Sequence, residues 1–349
     1  MRQLNFTAEA YIDELAALFP DSPTKAAVAL AAVDGPDIST ATRGRCPADA
    51  RFEIGSITKT MTATLLASLA AEGVLGLDDD LERWIPAAAG KGLKLQALAT
   101  HTAGLPKLAR NNRLRALAHA RNPYLHYSAK RAENALRTVP AAPTVPTAAS
   151  ISPAPHVYSN FGYQLLGLAL ERASGQSYQQ LLEARITGPL GMTCTGVGDD
   201  VTRGTGTATD IRTGTGTEKG IRIPGHSGGR TVPHWDQPLP GAGGVESTIG
   251  DMARYLAACA RPARDDALGN AIRLAQSPRL TVAEGKEIGL GWIRWNGRVL
   301  WHNGKTGGFC SSMALDPEPG RGMLLLASST SGSGSTLDRR MIRLVREGC

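Results

Sequence analysis

A chain of 349 residues, 42% hydrophobic and 20% charged, has ample capacity for a core and a near-average globular composition, which excludes wholesale disorder and a fibrous repeat. The formal charge of +7 raises nucleic acid as a partner, but no basic stripe is interleaved with aromatics, which make up only 5% of residues, so none is expected. The five cysteines (Cys46, Cys194, Cys259, Cys310 and Cys349) are scattered without a C-x-x-C pair, so neither a disulfide framework nor a bound metal is expected.

In chain order, Tyr11, Ile12, Leu15, Leu18 and Phe19 trace one face of a first helix that Thr7 is placed to cap. The same stretch has no apolar signal-peptide core, and no segment approaches the ~18 consecutive apolar residues of a membrane span, so a reducing cytoplasm and no membrane partner are expected. "KAAVALAAVDGPDISTATRG" predicts two strands joined at Asp34-Gly35. "SITKTMTATLLASLAAEG" predicts a long buried helix with Met61, Leu65 and Leu69 on one face, stopping at Gly73.

Residues 107–137 form a basic insertion carrying Lys107, Arg110, Arg113, Arg115, Arg121, Lys130, Arg131 and Arg137 against the single acid Glu133. It reads either as a solvated helical face or as a cationic lid favouring acidic substrates. A Pro- and Ala-punctuated linker follows, then a second helical pattern from Phe161 to about Leu182, interrupted at "SGQS". The Thr/Gly-rich segment 202–220 lacks the strand, helix and G-K-[ST] ending of a phosphate loop and reads as a surface excursion. Short strands "GLGWIRW", "RVLWHNG", "SSMALDP" and "GMLLLASS" and an amphipathic helix "TLDRRMIRLVREG" end the chain. This order predicts an antiparallel sheet whose outer strands come from both chain ends, beside a helical subdomain.

"FEIGSITKT" places Ser56 at the start of the long helix and Lys59 three residues on. Ser56 alone reads as a helix cap. Lys59, however, sits where the helix dipole disfavours a cation and a capping box wants Glu or Gln. The same placement brings amine and hydroxyl onto one face and lowers the amine pKa, so a neutral Lys59 can deprotonate Ser56 beside backbone N–H groups that suit an oxyanion. "HVYSNFGY" adds Tyr158, able to shuttle a proton, and Asn160, able to hydrogen-bond an amide or ester.

In this order the residues resemble the serine β-lactamase and penicillin-binding-protein superfamily, in the branch of class C β-lactamase-like esterases, D-amino-acid peptidases and acyltransferases. "ATHTAGLP", "YSNFGYQLLGLALERASGQSY", "GPLGM", "GAGGVESTIGDMARYL", "GLGW" and "ALDPEPGRGMLLLASS" extend the likeness from about residue 24 to the end. The resemblance implies an α/β fold of the α+β, β-lactamase/transpeptidase-like type, with an antiparallel sheet flanked by helices. It implies one catalytic unit, residues 1–349: a sheet part of about 1–56 and 250–349, and a helical part of about 57–249. It further implies Ser56 as nucleophile, Lys59 as general base, Tyr158 as proton shuttle, Asn160 as a substrate ligand and the Ser56 amide as half of an oxyanion hole.

The family's third box, K-T-G, is followed by x-T-G-G-F. Here Thr306-Gly307-Gly308-Phe309 fixes that trailing segment, so the box falls on His302-Asn303-Gly304 and the visible K-T-G is three residues out of register. His302, Asn303 and Gly304 are then expected at the substrate, and the Lys305 backbone N–H in the other half of the oxyanion hole. Strand alternation forbids the side chains of His302 and Lys305 from serving together. A largely neutral His in place of Lys weakens carboxylate anchoring. The expected activity is therefore acyl transfer from a small-molecule ester or amide, through Ser56, to water, an amine or an alcohol, without a cofactor. β-Lactamase or D-aminopeptidase/D,D-peptidase chemistry is the alternative within enzymes, and a catalytically silent small-molecule-binding protein the alternative outside them. The sequence sets no oligomeric state.

Overall fold

The computed structural model describes residues 6–19, 26–112, 122–141, 156–198, 220–332 and 334–348. The basic residues Arg113, Arg115 and Arg121, most of the Pro/Ala linker and nearly all of the Thr/Gly-rich segment lie outside the described residues.

The run AVALAAVD forms β1 (Ala27–Asp34) and turns through Gly35, at φ 61°, into β2 (Asp37–Gly44). Its unbroken apolar character has a packing reason. Val28, Leu30 and Ala32 enter one core and Ala27, Ala29, Ala31 and Val33 another, so the strand is covered on both faces. The first core is closed by α1 (Ala8–Ala16), through Tyr11, Ile12 and Leu15, and by a C-terminal helix described below. Thr7 occupies the N-cap position of α1 but makes no side-chain cap hydrogen bond.

A short strand, β3 (Ala50–Glu53), leads through a 3-10 turn (Gly55–Ile57) into α2 (Thr58–Ala71). Every α2 residue from Thr58 to Leu69 is buried, so the expected single apolar face is instead a helix covered all round. Its threonines satisfy their hydroxyls inside: Thr62 Oγ1 donates to Gly241 O at 2.7 Å and Thr60 Oγ1 to Ile57 O at 2.8 Å. Around α2 lie α3 (Leu95–Ala99), α4 (Ala129–Leu136), α5 (Asn160–Ser174) and α6 (Tyr178–Leu182), with Gly175 in the left-handed conformation at the predicted interruption. On α4, Lys130, Arg131 and the following Arg137 are exposed while Ala132, Ala135 and Leu136 are buried, so this part of the insertion is a solvated helical face.

A second, four-stranded sheet has the order β4-β8-β3-β5, from β4 (Gly196–Val197), β5 (Ile221–Arg222) and β8 (Val245–Thr248) with β3. The hairpin β6 (Gly225–Ser227) and β7 (Arg230–Val232) stands beside it. Helices α7 (Ile249–Ala260) and α8 (Ala267–Gln276) follow. Then come β9 (Leu280–Ala283), β10 (Lys286–Ile288), β11 (Ile293–Trp295), β12 (Val299–Lys305), β13 (Cys310–Asp316), β14 (Arg321–Ala327) and α9 (Ser335–Glu347).

The main sheet is antiparallel with the order β2-β1-β14-β13-β12-β11-β10-β9. Chain ends do meet in it, since β1 pairs with β14, Val28 opposite Ala327 and Asp34 opposite Arg321. The edges, however, are β2 and β9 rather than the last strand. The run GMLLLA of β14 is buried throughout, which demands neighbours on both sides and both faces.

Leu30, with no exposed surface in the middle of β1, gives a stability test of the two-core arrangement. Leu30→Ala should lower the unfolding free energy by about 2–5 kcal/mol in a denaturant titration; a loss under about 1 kcal/mol would mean that α1 and α9 do not pack on this face as described.

Candidate active site

The first part of the site is built where β3 runs into α2. Ser56 lies in the 3-10 turn, not at the N-cap; Ile57 holds that position, and no side chain caps the helix. The cap reading of Ser56 therefore fails, and its hydroxyl is available for other partners. Lys59 Nζ lies 2.8 Å from Ser56 Oγ and donates to the carbonyl of Ala242 at 2.5 Å. From the other side Tyr158 Oη donates to Ser56 Oγ at 2.7 Å. One hydroxyl is thus held between an amine and a phenol.

The electrostatics of the pair differ in direction. Lys59 is fully buried, and burial, aided by the charge of Lys107, holds its pKa well below the ordinary 10.5. The ring faces of Tyr158 and Tyr163, 5.0 and 5.5 Å from Nζ, favour the cation but do not offset the loss of water. Burial pushes Tyr158 up to about 12, although its bond to Ser56 works the other way. At neutral pH the arrangement is a free amine, a hydroxyl and an intact phenol.

Tyr158 is placed by the start of α5. Ser159 is the N-cap, its Oγ accepting from Gly162 N at 2.9 Å and donating to Pro106 O at 2.7 Å. The Ser159 N–H donates to His101 Nδ1 at 3.1 Å, and the His101 ring centroid lies 4.6 Å from that of Tyr158. His101, at φ 60°, comes from the "ATHTAGLP" stretch, whose sequence carried a family likeness but no role for this residue. Because Nδ1 accepts, the neutral ring carries its proton on Nε2.

Strand β12 brings the third segment, and its alternation separates the four residues expected there. His302 and Gly304 are buried toward α2, while Asn303 and Lys305 face the other way. Asn303 is a correction to the sequence expectation: its Nδ2 donates to Asp338 Oδ2 on α9 at 2.6 Å, on the face away from Ser56. Ser312 Oγ donates to the other Asp338 oxygen at 2.8 Å, so Asn303 ties the strand to the helix. His302 is also displaced from the expected position at the substrate. It lies behind Tyr158, lining a small cavity with His101, His156 and Trp292, and does not line the pocket that holds Ser56. Burial and the neighbouring Lys59 lower its pKa to about 3, while its Nδ1 bond to Asn303 O at 2.7 Å opposes them, so the ring is neutral.

Gly304 and Gly55 interlock the backbones of strand and turn. A Cβ on Gly304 would collide with Ile54 O and Ser311 Oγ and sit 3.0 Å from Ser56 N; one on Gly55, at φ 52°, would lie 2.7 Å from Lys305 N. The amides of Ser56 and Lys305 are thereby held beside each other at the pocket lined by Ser56 and Lys305.

That pocket, of about 220 Å³, is walled by Tyr124, Asn160, Trp235, Gln237, Gly243 and Thr306. Asn160 Nδ2 donates to Tyr124 Oη at 2.7 Å, and the Tyr124 and Trp235 rings meet edge to face at 5.3 Å. Neither Tyr124, Trp235 nor Gln237 falls in a motif, and only the folded chain brings them to Ser56. Behind Trp235, Glu53 Oε1 accepts the Trp235 N–H at 2.7 Å and pairs with His234 Nδ1 at 2.9 Å. Glu53, His234 and Glu246 place possible metal-ligand atoms within 4.8 Å of one another. Glu246, however, is paired with Arg51 at 2.8 Å and Arg222 at 2.5 Å, so two guanidiniums already neutralise the two carboxylates and would oppose a cation.

Residues 12–347 match the Beta-lactamase family, and the chain belongs to that family. It is similar to the D-alanyl-D-alanine-carboxypeptidase/endopeptidase AmpH of Escherichia coli K12, at 29% identity over 80% of this chain and 71% of that protein. The fold is similar to an octameric penicillin-binding protein homologue from Pyrococcus abyssi, with a TM-score of 0.76, 22% identity and coverage of 97% of this chain and 77% of that one. It is likewise similar to a β-lactamase/D-alanine carboxypeptidase from Yersinia pestis, with a TM-score of 0.72, 23% identity and coverage of 97% and 99%.

The face assignment predicts unequal effects along β12. Displacing Tyr158 by a small shift costs roughly 10²-fold in rate, so His302→Ala should lower kcat/KM substantially while Lys305→Ala changes it little; the reverse order would refute the assignment. Gly304→Ala should abolish turnover, and retention of most activity would show that the strand and the Ser56 turn are not interlocked.

Proposed function

We propose that this member of the Beta-lactamase family is a serine hydrolase that takes an acyl group onto Ser56 from a small ester or amide and passes it to water, an amine or an alcohol. The observation that carries the reading is Ser56 Oγ held between Lys59 Nζ at 2.8 Å and Tyr158 Oη at 2.7 Å, with the lysine pKa depressed by burial. Neutral Lys59 accepts the Ser56 proton as Oγ adds to the substrate carbonyl. The carbonyl oxygen, becoming an oxyanion, faces the adjoining amides of Ser56 and Lys305, where fixed dipoles favour the charge. Tyr158, a phenol throughout the physiological range, gives its proton to the leaving group and is refilled from Lys59. In the second half it removes a proton from the incoming water, amine or alcohol, and Ser56 leaves as the acyl bond breaks.

The neutral His302 supports a substrate that does not depend on a permanent cation for carboxylate anchoring. β-Lactamase or D-alanyl-D-alanine carboxypeptidase activity is the second reading, favoured by the similarity to the Escherichia coli and Yersinia pestis proteins.

A fluorophosphonate probe should label Ser56, and Ser56→Ala should lower ester turnover by roughly 10³-fold or more; labelling elsewhere, or an active Ser56→Ala, would sink the proposal. Rapid nitrocefin turnover would decide for the second reading. Acyl transfer is read by product mass with and without added amine: new amide indicates transfer, free acid alone hydrolysis.

kcat/KM should rise with pH as Lys59 loses its proton, with a midpoint well below 10.5. Because the folded pKa is depressed, the unfolded chain binds the extra proton between the folded value and 10.5. Lys59 therefore subtracts stability in that window, less so as pH approaches 10.5. Lys59→Met should abolish acylation yet raise Tm at pH 7; a lower Tm would contradict a buried neutral amine.

A further inference from the structure

Three polar atoms of the Ser56 pocket are buried without a hydrogen-bond partner among the described residues: Asn160 Oδ1, Gln237 Oε1 and Thr306 Oγ1. Gln237 and Thr306 are 7% and 3% exposed, so bulk solvent scarcely reaches them. The Gln237 amide is oriented from behind, its Nε2 donating to the Gly243 carbonyl at 2.9 Å. A carbonyl only accepts, so the other end of that amide, the oxygen, is the atom left for a ligand. Asn160 likewise commits its Nδ2 to Tyr124. Two of the three groups can only accept, and the threonine hydroxyl is able to. Buried acceptors of this kind stabilise a partner that brings N–H or O–H groups and reject one that does not.

The rest of the lining narrows the partner. No carboxylate lines the pocket, its volume is about 220 Å³, and Tyr124 and Trp235 close one side with aromatic edges. That is less than the ~300–1,000 Å³ common for drug-sized ligands. A small group with several donors fits better than a bulky one. An acylamino group offers a single N–H and brings a carbonyl that needs a donor of its own; a primary amine offers up to three N–H bonds for three acceptors. The nearest buried amine, Lys59, is held neutral, which removes the charge that would repel an ammonium.

We infer that the acyl donor carries a free amine beside its scissile carbonyl, an α-aminoacyl ester or amide, and that Gln237 and Thr306 join Asn160 in receiving the amine. This rests on the acylation of Ser56 proposed above. In the transfer the Ser56 Oγ–carbonyl bond forms as the ester C–O or amide C–N bond breaks, the leaving group takes a proton from Tyr158, and the donor's amine keeps its protons throughout.

The test uses the full chain with alanine methyl ester, N-acetylalanine methyl ester and methyl propionate, the alanine esters in both enantiomers, with acid release read by mass. One alanine methyl ester enantiomer should exceed methyl propionate in kcat/KM by at least about 10-fold, and Gln237→Leu should shrink that ratio toward one. Equal turnover of the amine-free ester, a preference for the N-acetyl ester, or an unchanged ratio in Gln237→Leu overturns the inference. Should Gln237→Leu not fold, the same ratio is read in Thr306→Val, and the series on the unmodified protein decides by itself. Fluorophosphonate labelling of Ser56 with turnover but no amine preference overturns this inference alone; no labelling and no turnover of any ester overturns the Ser56 chemistry with it.

Discussion

The removal of one amine from water organises this molecule. A lysine with no exposed surface gives up its charge unless it is paired, and no carboxylate is bonded to Lys59; its described partners are a hydroxyl and a carbonyl. Keeping it dry requires α2 to be covered all round, which is why Thr58 to Leu69 are buried without interruption and why the helix threonines turn their hydroxyls back to carbonyls. It also requires the Gly241-Ala242 stretch to approach α2 closely enough for the Ala242 carbonyl to take an amine N–H. Stability is spent at this point and recovered in the surrounding apolar core.

The second constraint is the two-residue period of β12. His302 and Gly304 face α2; Asn303 and Lys305 face α9. A single strand thus does two jobs: one face presses a neutral ring and a side-chain-free residue against the catalytic turn, while the other is fastened by Asn303 and Ser312 to Asp338. Burial raises the Asp338 pKa, and those two donors pull it back, so the link is a hydrogen-bonded one between strand and helix rather than a pairing of full charges. Through it, α9 fixes the strand that carries the Lys305 amide.

Much of this was legible in the residues themselves. The β1–β2 turn, the long buried helix, the break at Gly175 and the closeness of Ser56, Lys59 and Tyr158 follow from local chemistry and from motif order. What escaped reading depends on distant packing. Ser56 looked like a cap because the 3-10 turn before α2 has no sequence signature. Asn303 looked like a ligand because a box of adjacent residues does not say which face each one takes. The fully buried β14 was mistaken for an outer strand because an apolar run reveals burial but not its neighbours. Tyr124, Trp235 and Gln237 reach Ser56 from two loops separated by more than a hundred residues, with no periodicity to announce them.

His302 shows how a single substitution in a motif reshapes the chemistry without breaking the fold. A lysine at its position would place a second amine beside Lys59 in the same dry region. Two cations there would each lower the other's pKa, and one would need an anion brought in by the substrate. A neutral imidazole removes that demand. Its Nδ1–H is spent on the Asn303 carbonyl, leaving Nε2 as an acceptor in the small cavity behind Tyr158, where His101 and Trp292 supply N–H groups. The ring therefore supports the phenol by packing and polarity rather than by charge. With no anion required behind Tyr158, recognition passes to the other wall of the cleft, where Asn160, Gln237 and Thr306 present oxygens and the substrate is read by the donors it brings.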